Sequence, residues 1–423
     1  MLNSLRELMH ATGTIDVHEH HLPQIFGSKE VSLSRLFRES YASWTKMRAY
    51  RLPSEPPANE DPSVPVPTSW EALAPYLEHS GSNAFVRNLV YGILELHDPD
   101  QTAITRDNFE AIDAAVRSHH RDPQWLRRVI RRAGIERIIT DPYLDPMLNA
   151  RETLGAEYDS VLRINAFAVG WNPESRCHNG NCAHSLLRLA GMEVKSFDDY
   201  CTALRELVAG CASRNQVALK NALAYDRDLN FDEPDELLAR QAWGKVSPSP
   251  EEKKAFSDFI VDLLCRCAAE HDLPVQTHLG TAIIRGSHPL NVAGLIERHP
   301  RTRFLLMHFA YPWSRDLLGL AFVYRNVWLD VCWAPLLSPS HFKLALHEAI
   351  EVLPDETRIM LGGDCLHIEE SYGAMQKIRH LTCDVLEEKV ANGYFAASDA
   401  ERLAGKIARN NAASFFNFPN LAF

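Results

Sequence analysis

Eight short runs rich in apolar and β-branched residues recur along the chain: TIDVH (14–18), RIITD (137–141), VLRINAF (161–167), VALKNAL (217–223), PVQTHL (274–279), RFLLMHF (303–309), NVWLDVCW (326–333) and RIMLGGD (358–364). Short β-rich runs of this kind read as strands. Between them lie stretches with apolar residues at three and four spacing, among them SFDDYCTALRELVAGCAS, SPEEKKAFSDFIVDLLCRCAAEHD and HPLNVAGLIERHP. They begin after Ser, Asp or Pro, as helix starts do. Strands alternating with helices predict an α/β fold, a (β/α)8 TIM barrel formed by residues 1–423 as a single domain. An open doubly wound sheet is the rival, but no Gly-x-Gly-x-x-Gly follows the first strand, which removes the main support for a dinucleotide fold.

The spacing is uneven. About 118 residues part the first run from the second, far more than one crossover helix needs. This gap predicts a mostly helical insertion over 24–133, hanging over the barrel mouth. It contains LSRLFRESYASWTKM, the Pro-rich link LPSEPPANEDPSVPVPTSW, and helices from Trp70 to Leu96 and from Arg106 to Ala133. A second insertion, AYDRDLNFDEPDELLARQAWGKVSP, follows the fourth run. Both leave from carboxyl ends of strands, where barrel active sites form, so both are candidate lids. Ser371 to Phe416 reads as two or more closing helices.

Composition narrows the function classes. With 423 residues, 46% hydrophobic and 23% charged, the chain is globular in type, and its net charge of −11 argues against a nucleic-acid partner. No run is long and apolar enough to span a membrane, and the start MLNSLRELMHATG lacks the features of a secretory signal. The expectation is a cytoplasmic enzyme with a small-molecule substrate; such barrels often associate, so a homo-oligomer is admitted. The nine cysteines, an odd number, suit reduced thiols. CHNGNCAH (177–184) offers Cys177, His178, Cys182 and His184, but lacks knuckle spacing and a second ligand pair, and reads as a polar loop.

The chemistry sits at strand ends. In TIDVHEHHLP, alternation lines Asp16, His18 and His20 on one side, with Ile15 and Val17 on the other. Glu19 alternates away, as a supporting partner or a surface group. Lys220 lies in the fourth run, and His278, His308 and Asp364 end the fifth, sixth and eighth. Imidazoles and a carboxylate at one barrel mouth are the donor set of zinc, manganese or iron. Asp364 and His308 are the candidate catalytic residues, Asp364 as the base that takes the proton of an activated water. Val217 and Leu219 are expected to share the face of Lys220 and to desolvate its amine in part. Arg227 is the candidate clamp for a substrate carboxylate, with Tyr225 nearby and Trp333 as a pocket wall. His367 and Glu370, which follow Asp364, are weaker candidates.

IDVHEH on strand one, Lys on strand four, His on strands five and six and GGD on strand eight resemble the amidohydrolase superfamily, over essentially the whole chain. The long insertion, the pattern TRDNFEAIDAAV…WLRRVIRRAGIERIITDPY and the closing VLEEKVANGYFAASDAERLAGKIARNNAASFF resemble its uronate isomerase and "amidohydrolase 2" branch. The resemblance implies His18, His20, His278 and Asp364 as the core metal set, most readily for zinc. His308 and Lys220 form its variable part, the lysine being carboxylated and bridging two ions where two are bound. The isomerase branch generally lacks this lysine and the strand-six histidine, and carries an arginine soon after the strand-eight aspartate, where this chain reads DCLHIEE. The expectation is therefore a metal-dependent hydrolase of an amide, lactone or related carbonyl in a small, carboxylate-bearing molecule. Uronate isomerase, metal-dependent decarboxylase or lyase, and a catalytically silent sugar-acid binder are the alternatives.

Overall fold

The computed structural model describes residues 2–23, 30–43 and 69–418. Eight strands form one sheet in chain order, β1 (Thr14–Glu19), β2 (Ile135–Thr140), β3 (Tyr158–Arg163), β4 (Gln216–Asn221), β5 (Val275–Thr277), β6 (Phe304–Leu306), β7 (Val327–Asp330) and β8 (Ile359–Met360). Each of the eight runs overlaps one of them, and the last four contain theirs whole. This is the (β/α)8 architecture. The chain divides into two compact units, one of residues 1–136, 333–344 and 362–408, the other of residues 137–332, 345–361 and 409–423.

In the first unit every residue of β1 is buried. After it come the helices Leu33–Arg38, Trp70–Ser80, Ala84–His97, Phe109–Arg121 and Trp125–Arg132. The apolar faces of the first four share a core that includes Leu36, Phe37, Leu73, Leu89, Ile93, Phe109 and Ile112. Each of the two long helices expected here is broken in two. Gly81 interrupts the first, and Asn83 then caps a new helix by accepting from Phe85 N at 2.9 Å. The second stops at Asp122, before Pro123, whose ring disfavours helical backbone in the residue preceding it. Most of the Pro-rich link falls in 44–68, outside the described residues. The long helix Ile368–Ala391 completes this unit with Ala397–Gly405 and a π-turn from Lys406.

In the second unit β2 to β8 pair in parallel, with register partners such as Arg163 and Lys220, Lys220 and Gln276, and Thr277 and Leu306. Consecutive strands thus end at similar heights, which gathers the residues at their carboxyl ends. Helices Phe197–Ala209 and Pro250–Glu270 start in capping boxes, Ser196 with Asp199 and Ser249 with Glu252. Both pack around Phe197, Tyr200, Trp243 and Phe256. Among the described residues no helix is long and apolar enough to cross a membrane.

Candidate metal centre

Strand β1 delivers the first donors. Its alternation buries Ile15 and Val17 on one face and turns Asp16 and His18 to the other, with His20 just past the strand end. Asp364 meets them in the same unit: its Oδ1 lies 3.2 Å from His20 Nε2 and 3.6 Å from His18 Nε2. The segment after β8 is fixed to β1 by the bond from Asp364 N to His18 O at 2.8 Å and by His20 N to Cys365 O at 2.8 Å. Two imidazole nitrogens converging on one buried carboxylate oxygen suit a divalent cation of the zinc, manganese or iron type.

Asp16 and Glu19 support this arrangement from below. Asp16 Oδ1 accepts from His18 N at 3.2 Å and Gly363 N at 3.1 Å, and Glu19 accepts from Cys365 N. Glu19 is completely buried, so of its two expected placements the supporting one holds. Burial pushes the Asp16 carboxyl up to about 7 and that of Glu19 well above the usual range. Sequence reading passed over Tyr41, whose hydroxyl donates to Asp364 Oδ1 at 3.0 Å while its ring lies 5.4 Å from Trp333. Trp333 is buried and also contacts Phe85 at 5.7 Å. Glu370 accepts from Tyr41 N at 3.1 Å and Leu366 N at 3.2 Å, and burial pushes its carboxyl up to about 8. His367 Nε2 faces Glu39 at 3.4 Å.

The second unit gathers the remaining predicted donors. His278 Nδ1 lies 2.8 Å from His308 Nε2, and His308 Nδ1 lies 3.0 Å from Cys332 Sγ. Burial, followed by the charges of His308, Lys220 and Arg163, pushes the His278 imidazole well below its ordinary value, towards the neutral form that binds metals. Lys220 is buried, and its Nζ donates to Met307 Sδ at 2.7 Å. Val217 and Leu219 alternate with it along β4 and so do not share its face as expected. The Tyr225 ring lies tilted against His278 at 4.6 Å and against His178 at 5.0 Å. His308, Trp333 and Asp364 have φ of 65°, 64° and 60°, left-handed backbone that costs about 1–3 kcal/mol at a residue with a side chain and clusters at functional sites.

Arg227 is placed differently from the expected clamp. Its guanidinium is engaged by Asp258 at 2.7 Å and by the carbonyls of Asp228 and Asn230, and lies on the Phe231 ring. Arg163, at the carboxyl end of β3, instead pairs with Asp141 at the end of β2 and donates to His178 Nε2 at 3.2 Å. His178 belongs to the CHNGNCAH loop, and its Nδ1 faces Asp226 Oδ2 at 2.8 Å. Alternation and strand ends offered a signal for Arg163 and Asp141; nothing periodic marked His178.

Residues 232–418 match the amidohydrolase family model. Over that part of the chain, which carries the motifs of strands five, six and eight, the resemblance is borne out. The protein fluG of Emericella nidulans is 28% identical over 178 residues, 40% of this chain, and the match spans 20% of that protein's length. Among solved structures, a uronate isomerase from Thermotoga maritima is similar at 15% identity, with 98% of this chain and 97% of that one covered and a TM-score of 0.76. A glucuronate isomerase from Caulobacter crescentus is similar at 16% identity, covering 100% and 96%, with a TM-score of 0.75. A Lactobacillus casei protein described as a metal-dependent hydrolase is similar at 16% identity, covering 98% of each chain, with a TM-score of 0.69. These likenesses establish the barrel fold over the full length.

Proposed function

We propose that the chain is a metal-dependent hydrolase acting on an amide, lactone or related carbonyl of a small, carboxylate-bearing molecule. The observation that carries this reading is the approach of His18 and His20 to Asp364 Oδ1 at 3.6 and 3.2 Å. Active sites of (β/α)8 barrels form at the carboxyl ends of their strands, where His278, His308 and Lys220 also lie. The donor set fits zinc, manganese or iron, in one or two ions. A divalent cation, which His18, His20 and Asp364 would hold, would polarise a carbonyl oxygen and lower the pKa of water.

Asp364 takes the proton from the attacking water and passes it to the leaving group. Tyr41, donating to Asp364 Oδ1, holds that carboxylate in one orientation. The His278–His308 pair, in which burial pushes the His278 imidazole towards the neutral form, adds imidazole donors. Lys220, in its buried setting, is the residue whose carboxylation would raise the capacity to two ions.

A second reading, aldose–ketose isomerisation of a uronate, is favoured by the full-length likeness to the two isomerases. One experiment separates the two. Purified protein is analysed for zinc, manganese and iron, then assayed against N-acyl amino acids and lactones for hydrolysis, and against glucuronate and galacturonate for ketose formation. The hydrolase reading expects stoichiometric metal, hydrolytic turnover, and a fall of about 10²–10⁴-fold in Asp364→Asn with metal retained. Ketose formation without hydrolysis selects the isomerase. Absence of bound metal, with no gain on adding it, rejects both.

A further inference from the structure

We propose that His97 and His119 form an acid-operated latch in the helical insertion: the hydrogen bond between their Nδ1 atoms holds while one of the two nitrogens carries a proton and opens when both do. All parts of the latch lie in the first unit, and none is a proposed metal donor.

Three rings from three helices meet at this corner. His97 ends the helix Ala84–His97, His119 lies in the last turn of Phe109–Arg121, and Trp125 starts Trp125–Arg132. The centroid of His97 is 4.9 Å from His119 and 5.3 Å from Trp125, and His119 stacks on Trp125 at 4.2 Å. The two Nδ1 atoms are 2.8 Å apart, a distance that requires a proton on one and a lone pair on the other. The far side of His97 decides which. Its Nε2 lies 3.0 Å from Glu369 Oε1, which His120 Nε2 also approaches at 2.7 Å. Burial opposes the charge of Glu369, but His120 and His97 outweigh it and keep the carboxylate ionised. His97 Nε2 therefore donates to Glu369, and a neutral His97 offers its Nδ1 lone pair to the Nδ1–H of His119.

Acid acts on this pair in two steps. A first added proton, on either ring, still leaves one N–H facing one lone pair, and the bond persists. A second turns two N–H groups of two cations towards each other, and the bond is lost. His97 is completely buried and anchored on Glu369, whereas His119 is partly exposed, so His119 is the ring that leaves. Charges face the pair from each neighbouring element. Glu369 on Ile368–Ala391, Asp122 in the turn after His119 and the carbonyls ending Phe109–Arg121 favour protonation of His119; Arg128 on Trp125–Arg132 and the adjacent His120 oppose it. Burial, then the charges of His97 and Arg128, prevail and push the His119 imidazole below its ordinary value of 6.5. Opening therefore belongs to pH below 6.5, while Glu369, held well below 4.5, still anchors His97.

Hydrogen–deuterium exchange provides the test, read on peptides covering residues 116–128 from pH 7 to pH 5 and corrected for the intrinsic pH dependence of exchange. The wild-type protein should exchange several-fold faster in this segment at pH 5 than at pH 7. His119→Phe keeps a ring on Trp125 without a titrating nitrogen, and His119→Gln keeps a donor for His97 that cannot gain a charge. Both should lose the acid-induced rise, with thermal unfolding as the check that each is folded. Glu369→Gln removes the anion that favours the second proton, and should move the onset of the rise to lower pH. Exchange in the wild type that does not change with pH overturns the proposal, since His119 would then titrate without opening. The same rise in either folded His119 variant, or an onset unmoved in Glu369→Gln, overturns it as well.

Discussion

Gly363 shows how tightly single atoms are placed around the histidines of β1. A Cβ built on it would stand 2.4 Å from Glu19 Oε1, and its own N–H donates to Asp16. Gly363→Ala therefore has to move the Glu19 carboxylate, whose bond to Cys365 N helps set the segment carrying Asp364. Overpacking of this kind costs about 1–3 kcal/mol. Urea unfolding should show a loss in that range together with weaker metal retention; an unchanged midpoint would mean that Glu19 yields freely. At this scale the sequence showed some residues and hid others for identifiable reasons. His18 and Asp16 were legible because alternation on a buried strand assigns faces without knowledge of the fold. Asp364 and His278 were legible because they end strands. Tyr41 and His178 come from irregular segments, where no period says which way a side chain points. Arg227 looked like the free cation because Asp258, its partner, lies 31 residues away on another element.

Among the elements, the helix Ile368–Ala391 depends most on a polar contact. Glu369, in its first turn, is completely buried and takes His97 Nε2 at 3.0 Å and His120 Nε2 at 2.7 Å through one oxygen. One carboxylate thus ties together helices Ile368–Ala391, Ala84–His97 and Phe109–Arg121. Burial opposes its ionisation, but His120 and His97 outweigh burial and hold the carboxyl well below its ordinary value of 4.5. A depressed carboxyl contributes stability that is fully present above the ordinary carboxylate range. That contribution is lost as pH falls through the folded value, because the unfolded chain takes up its proton first. Glu369→Gln should cost about 1–3 kcal/mol at pH 7 and lose less stability than wild type on acidification below 4.5, as measured by denaturant midpoints across pH. Parallel midpoints down to pH 3 would sink this account. Gly92 seals the same contact, since a Cβ there would meet Glu369 O at 1.9 Å. Gly92→Ala should force the two helices apart and destabilise by about as much as an overpacked core does, about 1–3 kcal/mol. Strands were the elements best read from sequence, because short runs rich in apolar and β-branched residues alternate with amphipathic stretches. Helix breaks were not: Gly81 and Pro123 sit inside stretches whose periodicity continues past them.

For the molecule as a whole, the proposed donors are divided between the two units, with His18, His20 and Asp364 in the first and His278, His308 and Lys220 in the second. The barrel class was legible from eight alternating runs, whereas this division was not, because strand and helix patterns carry no record of which contacts are dense. An ion that binds only the folded state stabilises it by RT ln(1 + [M]/Kd), about 2.7 kcal/mol at a hundred times Kd. Zinc should therefore raise the thermal midpoint of the wild-type protein, and a chelator should lower it. Variants decide where the donors are. His18→Ala and His20→Ala should each abolish most of the zinc-dependent gain, since each removes a nitrogen facing Asp364. His278→Ala should do so equally if the centre draws on both units. A full zinc response in His278→Ala, alongside its loss in His18→Ala and His20→Ala, would confine the ion to the first unit. The His278–His308 pair would then be a hydrogen-bonded imidazole pair without a metal, and the hydrolytic reading would have to run on one ion.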